Sequence, residues 1–411
     1  MRSKRHILFL ETNDAIGGVV RVHEYLIGAF DTSAFRVTLA CQRDGPLDVA
    51  TRDRQDIERV PLDFGTKRPT RAPPPRPALR NIASLAGFVH SIRRLAPYCR
   101  REGVDLIYTS DKKRAVVLAL ALSYATGRPF AYHIHNVYVD YRMNRLALRR
   151  ASAIIANSHA SKADFIRTLG PEMERIRVVH NGVDPAVFRP LPTPRLLRDE
   201  FQVRENALLV GVATRLSPEK GHPTLIEAVA RVLKERPGSL HLLFLGDDRI
   251  SSGAEAYSED LRAQIRRLGM DAAVTFAGYQ ADMATIYNGL DVVVDPAWEE
   301  AFGMVVIEPM ACGRLVVGTR AGGIPEIIED GTNGFLFPPR DAAALAERLR
   351  RILDMSATEA ERLRHAARQT VLDRFTISRQ TRAIEAVFEE AADSPRGDGE
   401  AAGKQRDAAP V

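Results

Sequence analysis

Short β-type segments alternate with amphipathic helical stretches along this chain, and no other sequence feature constrains the fold as strongly. Strands separated by helices form βαβ units, whose strands join a parallel sheet. Two sets of five strands are predicted, at 6–10, 36–40, 105–109, 130–134 and 153–156, and at 208–212, 240–245, 274–277, 291–294 and 315–318. The prediction is an α/β protein with two doubly wound parallel sheets.

A proline-rich segment separates the two sets of strands. Residues 185–194 contain four prolines, which cannot donate the hydrogen bonds of a helix or a sheet. We therefore predict an N-terminal domain at 1–187 and a C-terminal domain at 188–390, whose final helix can pack back on the N-terminal domain. Residues 391–411 are rich in Gly, Ala, Asp and Arg without an apolar period, and are predicted to form a disordered tail.

Composition and short segments exclude several classes of protein. With 45% hydrophobic and 27% charged residues, the 411-residue chain can bury sizeable cores. Its longest apolar run, 115–122, is far shorter than the roughly 20 residues that span a bilayer. The apolar run 7–10 is too short for a secretory signal, and the three cysteines are odd in number without metal-ligand spacing. We therefore predict a cytoplasmic protein without a transmembrane helix, disulfide framework or zinc site.

Positive charge is concentrated in the first half of the chain. Residues 1–190 carry a net charge of +13 and the remainder carries −7, within a total of +6. Such a half fits an anionic partner, namely nucleic acid, an anionic membrane or a phosphorylated substrate, or else forms a solvated Arg-rich surface. No nucleic-acid recognition motif is present, so a nucleic-acid partner is not predicted.

One basic segment in this half has two interpretations. Residues 66–77 are basic and proline-rich, which predicts a mobile loop. The helix predicted after it has an apolar face and a basic end, formed by Leu79, Ile82, Leu85, Val89 and Ile92 and by Arg93, Arg94, Arg100 and Arg101. This helix either contacts an anionic membrane, which would make the protein peripheral at the inner face, or packs its apolar face on the sheet. Packing on the sheet is favoured.

The loops after the second set of strands carry candidate ligand-binding groups, because ligands of open α/β sheets bind outside the carboxyl ends of the strands. In the loop after 208–212, the planar guanidinium of Arg215 can bond two oxygens at once, and the ammonium of Lys220 is a compact positive charge. The two together suit a diphosphate. After 291–294 come Glu300 and Glu308.

Pro309 sets the predicted start of the helix that follows the second of these loops. Because proline is tolerated only in a first helical turn, we expect this helix to start near 304–307 and to present a phosphate-attracting N-terminus. Glu300 then lies in the loop and Glu308 in the helix, so the two carboxylates can address different parts of one ligand.

The stretch from Glu300 to Glu308 resembles the EX7E motif of the retaining GT-B glycosyltransferases of family 4. The resemblance spans most of the chain and is carried by Gly17-Gly18, Ser158, Asn181-Gly182-Val183-Asp184, Phe188, Pro190, Arg215, Lys220-Gly221, Phe276-Ala277-Gly278, Glu300, Glu308 and Gly322-Gly323-Ile324-Pro325-Glu326-Ile327-Ile328. It implies a GT-B architecture, in which two Rossmann-like domains face a cleft. The N-terminal domain would bind the acceptor and the C-terminal domain a nucleotide-sugar donor.

The resemblance also implies roles for single residues. Arg215 and Lys220 would bind the donor diphosphate and stabilise the leaving nucleotide, and Glu308 would accept hydrogen bonds from the ribose. Glu300, beside which Glu299 adds a third carboxylate, would hold the sugar hydroxyls together with the backbone of Phe302 and Gly303. The rest of the implied donor-binding set is Gly17 and Gly18 near the phosphates, Gly278 and Tyr279 near the base, and Met304 and Val305.

His135 resembles the family histidine that faces the donor sugar, and it completes a catalytic set with Arg215, Lys220 and Glu300. His133 is expected to point the other way along its strand and to be structural. The family is held to retain the anomeric configuration by a same-face substitution in which a donor phosphate oxygen helps to take the acceptor proton. No general base is therefore assigned.

The resemblance implies a retaining glycosyltransferase that moves a sugar from a UDP- or GDP-sugar to a hydroxyl of a saccharide or lipid-linked acceptor, in cell-surface polysaccharide or glycolipid biosynthesis. The sequence contains no Asp-x-Asp, so we expect neither a divalent metal nor another cofactor. One alternative is a non-catalytic nucleotide-sugar-binding partner subunit, which we would expect to have lost Glu300, Lys220 or His135. A second is an epimerase of the same fold, whose acid and base residues we cannot identify.

Overall fold

The computed structural model describes residues 4–12, 17–62, 77–110, 113–136, 141–192, 196–246 and 254–393. These form two compact units, the first from 4–157, 162–179 and 381–393 and the second from 158–161 and 180–380. Most of the predicted mobile loop at 66–77 and of the predicted tail at 391–411 lies outside the described residues. The last helix continues to Asp393, three residues into that predicted tail.

The first unit contains a parallel sheet with the strand order β3-β2-β1-β4-β5-β6-β7. Its strands are β1 (Arg5–Glu11), β2 (Phe35–Gln42), β3 (Glu58–Leu62), β4 (Leu106–Ser110), β5 (Phe130–Ile134), β6 (Ala153–Ala156) and β7 (Arg177–Val178). The five predicted strands are all present. The two that sequence reasoning missed are edge strands: β3 contains Pro61, which an edge tolerates, and β7 has only two residues.

The second unit contains a parallel sheet with the order β10-β9-β8-β11-β12-β13. Its strands are β8 (Leu208–Val212), β9 (Leu240–Phe244), β10 (Val274–Phe276), β11 (Val292–Asp295), β12 (Leu315–Thr319) and β13 (Phe335–Phe337). Again the predicted strands are present, and the missed strand, β13, is a three-residue edge strand. Both sheets have the doubly wound order of a Rossmann-like fold.

Helices connect the strands in both units. They are α1 (Gly18–Ala29), α2 (Pro46–Ala50), α3 (Pro77–Arg101), α4 (Lys113–Thr126), α5 (Tyr141–Arg150), α6 (His159–Leu169), α7 (Leu196–Glu200), α8 (His222–Glu235), α9 (Ala254–Arg267), α10 (Met283–Gly289), α11 (Met304–Ala311), α12 (Ala342–Leu353), α13 (Ala357–Arg374) and α14 (Ile377–Asp393). In the first unit, Phe388 of α14 packs against Phe30 and Tyr108, with ring centroids 5.8 and 5.1 Å apart. The end of the chain thus completes the core around β1.

The second half of helix α3 packs in the core of the first unit. In its second half Leu95 and Cys99 are fully buried in the core, with Ile92 packed against them, whereas Val89 is 39% exposed. Two of its arginines bind the protein itself, because Arg94 donates to the carbonyl oxygen of Pro61 and Arg100 to that of Ala125. Packing in the core thus accounts for the apolar side chains of the second half of α3, whereas those of Leu79, Ile82 and Leu85 lie outside the described residues. None of the helices in the described ranges is long and apolar enough to cross a membrane.

The strand order identifies one crevice in each unit. Strand β1 lies between β2 and β4, and β8 lies between β9 and β11, so the connections on the two sides of each central strand leave in opposite directions. Such a reversal opens a crevice at the carboxyl ends of the strands, where ligands of this fold bind.

Candidate functional site

Lys220 and Glu300 meet at the crevice of the second unit, in the loops after β8 and β11. The Lys220 Nζ lies 2.5 Å from the Glu300 Oε2, and the two side chains are only 16% and 19% exposed. Burial acts to lower the pKa of Lys220, but the carboxylates of Glu300 and Asp295 outweigh it, so that the pKa is raised. Lys220 is therefore a partly buried, permanent cation.

Gly221 brings the loop of Lys220 against the end of β11. It has a φ of +68°, and a Cβ atom at this position would lie 1.9 Å from the carbonyl oxygen of Pro296. The backbone N–H of Trp298 donates to the carbonyl oxygen of Glu219 across the same contact, at 3.0 Å. Glycine is thus required both by the backbone conformation and by the close approach of the two loops.

Asp295, the last residue of β11, is a carboxylate of this site that sequence reasoning missed. It is 1% exposed; its Oδ1 accepts a hydrogen bond from the Ala297 N–H, and its Oδ2 has no hydrogen-bond partner among the described residues. Burial, followed by the charge of Glu300, raises the pKa of Asp295 to about 6. Glu299, the third carboxylate named from the sequence, is exposed beside Glu300. The sequence signal that could have identified Asp295 is its place directly after the predicted apolar strand 291–294.

Arg215 is the less enclosed of the two predicted diphosphate ligands. Its side chain is 51% exposed, and its guanidinium lies 3.7 Å from the carboxylate of Glu219, four residues further along the chain. Its charge acts to lower the pKa of Lys220, since both cations lie in the loop after β8. Arg215 is held loosely, whereas Lys220 is fixed by its ion pair.

Helix α11 starts at Met304, within the range predicted from sequence, but Pro309 is its sixth residue. The requirement for proline in the first turn was therefore wrong: the helix includes Pro309 without the N–H that would bond to the carbonyl of Val305. Gly303 precedes the helix with a φ of +122°, and no side chain caps the N-terminus. Met304 and Val305 thus present the first backbone N–H groups of a helix at the crevice.

Glu308 is buried inside α11, with 5% of its surface exposed. The phenol of Tyr287, from α10, donates to the Glu308 Oε2 at 3.0 Å. This hydrogen bond fixes one carboxylate oxygen. Sequence reasoning missed Tyr287, because only the packing of α10 on α11 shows the relation.

The segment from Glu300 to Phe302 is held from several sides. Gly322, with a φ of +57°, passes so close that a Cβ atom would lie 2.0 Å from the Glu300 carbonyl oxygen, and the Gly323 N–H donates to that same oxygen at 2.9 Å. Ser158 donates to the carbonyl oxygen of Ala301 at 2.5 Å. These contacts give the Gly322-Gly323 and Ser158 positions of the sequence analysis a physical role, since they position the Glu300 loop.

Three glycines of the predicted donor set have open surroundings. A Cβ atom on Gly17, Gly18 or Gly278 would meet no described heavy atom within 4 Å, and only Gly278 has a positive φ, +68°. Within the described residues, packing does not explain Gly17 and Gly18, which lie at the start of α1. Tyr279 is 41% exposed.

His135 lies in a buried cluster at the carboxyl end of the first sheet, 5% exposed. Its ring centroid is 3.9 Å from that of His133 and 5.2 Å from that of His23. The expectation that His133 points the other way is wrong, because residues two apart on a strand face the same side. Burial and the neighbouring histidines hold the pKa of His135 well below its ordinary value.

Two further features of the second unit are explained by the fold itself. His159, His180 and Glu326 come together, but the Glu326 carboxylate accepts the first N–H groups of α6, where the helix dipole disfavours a cation. A cavity of about 910 Å³ at the opposite end of the sheet is lined by basic side chains, among them Lys234 and Arg267. These occupy the last turns of α8 and α9, where the dipole favours cations.

Comparison with known proteins identifies relatives over both units. The family described as "Glycosyl transferases group 1" matches residues 195–370, and the one described as "Glycosyltransferase Family 4" matches 16–187. A D-inositol 3-phosphate glycosyltransferase of Arthrobacter sp. (strain FB24) is 30% identical over 308 residues, 70% of each chain. Its namesake in Streptomyces avermitilis is 34% identical over 223 residues, or 53% of this chain, which thus spans about half (48%) of that relative.

Solved structures share the fold. Anabaena Alr3699/HepE, in complex with UDP and glucose, matches with a TM-score of 0.78 and 27% identity, over 93% of this chain and 99% of its own. Sucrose-phosphate synthase from Thermosynechococcus elongatus matches with a TM-score of 0.74, over 94% of this chain and 99% of its own. At 20% identity it supports the fold alone. The two doubly wound sheets, the Lys220–Glu300 site and these relatives together show that the chain belongs to glycosyltransferase family 4, with the GT-B fold.

Proposed function

We propose that this protein transfers a sugar from a nucleotide-diphosphate sugar to an acceptor hydroxyl with retention of anomeric configuration. The Lys220–Glu300 ion pair at the crevice of the second sheet carries the proposal, because it places a fixed cation beside a carboxylate at the ligand-binding end. The structure of Alr3699/HepE with UDP and glucose, at 27% identity, supports a nucleotide-sugar donor and makes UDP the first nucleotide to test.

In the proposed reaction, the bond between the sugar anomeric carbon and the diphosphate oxygen breaks, and negative charge grows on the leaving nucleotide. Lys220, with Arg215 beside it, stabilises that charge, and so do the first N–H groups of α11 at Met304 and Val305. These groups supply positive charge without a divalent metal, so we propose a metal-independent enzyme.

The carboxylates and the glycines have separate parts in this proposal. Glu308, held by Tyr287, accepts hydrogen bonds from the ribose hydroxyls, and Glu300 accepts them from the sugar. Gly278 and Tyr279 contact the base of the nucleotide. Gly17 and Gly18 let the backbone approach the phosphates, which fits the open space around their Cα atoms.

The proposed acceptor is a hydroxyl of a saccharide or lipid-linked saccharide, in the assembly of a surface polysaccharide or glycolipid. The net charge of +13 over residues 1–190 supports an acceptor that carries anionic groups. His135 contacts the transferred sugar, and a donor phosphate oxygen helps to take the proton of the acceptor hydroxyl.

Thermal unfolding with UDP, GDP and ADP tests the donor site. A nucleotide that binds only the folded protein at 100 times its Kd stabilises it by about 2.7 kcal/mol, and so raises the Tm. We expect one nucleotide to raise the Tm of the wild type and to raise that of Glu308→Ala much less, while Glu299→Ala, at an exposed neighbouring carboxylate, responds like the wild type. Equal responses of Glu308→Ala and the wild type would contradict the assignment of Glu308. A nucleotide response without sugar transfer would favour the binding-subunit alternative.

A further inference from the structure

Behind His135 lies a set of buried polar side chains, termed here the histidine cluster: Glu11, His23, Tyr108, His133 and His135. They come from β1, from β4, from β5 and the residue directly after it, and from α1. All five are at most 5% exposed. The fold alone does not require such a group, because polar side chains in a core cost free energy unless they are hydrogen-bonded.

Two hydrogen bonds anchor the neighbours of His135. The Nδ1 of His23 lies 2.5 Å from the Glu11 Oε2, and the Nδ1 of His133 lies 2.6 Å from the hydroxyl of Tyr108. The other ring nitrogens of His23 and His133 are buried without a hydrogen-bond partner among the described residues. Each ring is thus fixed at one nitrogen by a residue of a different strand, Glu11 of β1 or Tyr108 of β4.

The two anchored rings confine the His135 ring. His23 meets it edge-on, with an interplanar angle of 77°, and His133 lies against it at 37°. A rotation of His135 would require one of these rings to move and its anchoring hydrogen bond to stretch or break.

We propose that Glu11 with His23, and Tyr108 with His133, are positioning residues that fix the imidazole of His135 for contact with the donor sugar. The proposal rests on the proposed function, in which His135 makes that contact. Positioning residues of this kind act by holding a reacting group in its productive geometry.

Electrostatics adds a second effect of the same cluster. Burial, followed by the neighbouring His133 and His23, lowers the pKa of His135 well below its ordinary value. His135 is thereby kept as a neutral imidazole with one donor and one acceptor nitrogen, the form that can hydrogen-bond a sugar hydroxyl. The titratable groups that face the His135 ring are His23 and His133, which are hydrogen-bonded in turn to Glu11 and Tyr108.

Conservative variants of the full chain test the proposal. Glu11→Gln and Tyr108→Phe each weaken one anchor with little change of volume. The matched control is Tyr98→Phe, which removes another buried phenol hydroxyl of the same unit, hydrogen-bonded to Thr38 at 2.9 Å. Each variant is measured for donor KM and kcat and, after 15N labelling of histidine, for its imidazole NMR signals, with His135→Asn identifying those of His135.

We expect kcat to fall at least tenfold in Glu11→Gln and Tyr108→Phe at a nearly constant donor KM, and the His135 signals to shift. Tyr98→Phe should change neither. Wild-type kcat in both anchor variants, or the same loss in Tyr98→Phe, would overturn the proposal.

The NMR signals keep the two proposals distinguishable. If the wild type transfers no sugar, the proposed function fails, and unchanged His135 signals in the anchor variants would separately overturn the positioning role. If Glu11→Gln does not fold, Tyr108→Phe alone decides the question.

Discussion

Gly221 and Pro296 approach each other so closely that no side chain fits between them: a Cβ atom on Gly221 would lie 1.9 Å from the carbonyl oxygen of Pro296. This contact joins the loop that carries Lys220 to the end of the strand that leads to Glu300. The ion pair of the candidate site therefore depends on a glycine that bears no functional group.

We predict that Gly221→Ala destabilises the protein by about 3 kcal/mol, since it adds a backbone clash to a left-handed conformation. The matched control is Gly269→Ala, where φ is +67° and the space around the Cα atom is open, and the expected cost is about 1 kcal/mol. Urea unfolding of both variants measures the difference. Equal losses would show that the close contact is relieved without cost.

Replacing Lys220 by Met should lower kcat/KM by about 10²–10³-fold, on the scale of a lost transition-state hydrogen-bond donor. The variant also leaves Glu300 and Asp295 without their cation, so nucleotide binding should weaken. Lys234→Met, at an exposed lysine in the last turn of α8, serves as the control. A variant of Lys220 that retains most of its activity would exclude a role in leaving-group stabilisation.

The raised pKa of Asp295 predicts a specific dependence of the free energy of unfolding on pH. Its pKa is raised from an ordinary 3.8 to about 6, so the folded state binds a proton more tightly than the unfolded state. The resulting stabilisation is complete below pH 3.8 and is lost as the pH rises through 6.

Asp295→Asn should therefore gain stability relative to the wild type between pH 4 and pH 7, as followed by chemical unfolding. Glu299→Gln, at an exposed carboxylate, should show no such trend. A difference between wild type and Asp295→Asn that stays constant across this range would refute the shift.

Tyr287→Phe should weaken nucleotide binding several-fold, because Glu308 loses the hydrogen bond that fixes one of its oxygens. The stability cost should be about 1.5–3 kcal/mol, the range for hydrogen bonds to charged groups. Calorimetric titration with the nucleotide identified by thermal unfolding measures the affinity. Tyr257→Phe, which removes a longer contact of 3.3 Å to His222, is the comparison, and its affinity should stay at the wild-type value.

The sequence was sufficient to predict nine central strands and the edge strand β10, because strands of a parallel sheet appear as short apolar runs between helical patterns. The edge strands β3, β7 and β13 escaped because they are short or contain proline. Lys220 and Glu300 were found as motif residues. The contact of Gly221 with Pro296 was not predictable, since it joins loops that are distant in the chain.

The same limit explains the other omissions. The pairing of Tyr287 with Glu308 depends on how α10 packs on α11, and that of Glu11 with His23 on how α1 returns over β1. Neither hydrogen bond corresponds to a residue spacing that can be recognised in the sequence. The orientation of His133, by contrast, followed from strand geometry and should have been predicted correctly.

The packing of Phe388 on Phe30 and Tyr108 has a consequence for synthesis of the protein. The first unit is built from segments that lie before and after residues 180–380, whereas residues 180–380 of the second unit are continuous. During translation the second unit can close as soon as its own residues have left the ribosome. The first cannot, so the rings beside β1 stay uncovered until α14 has been synthesised.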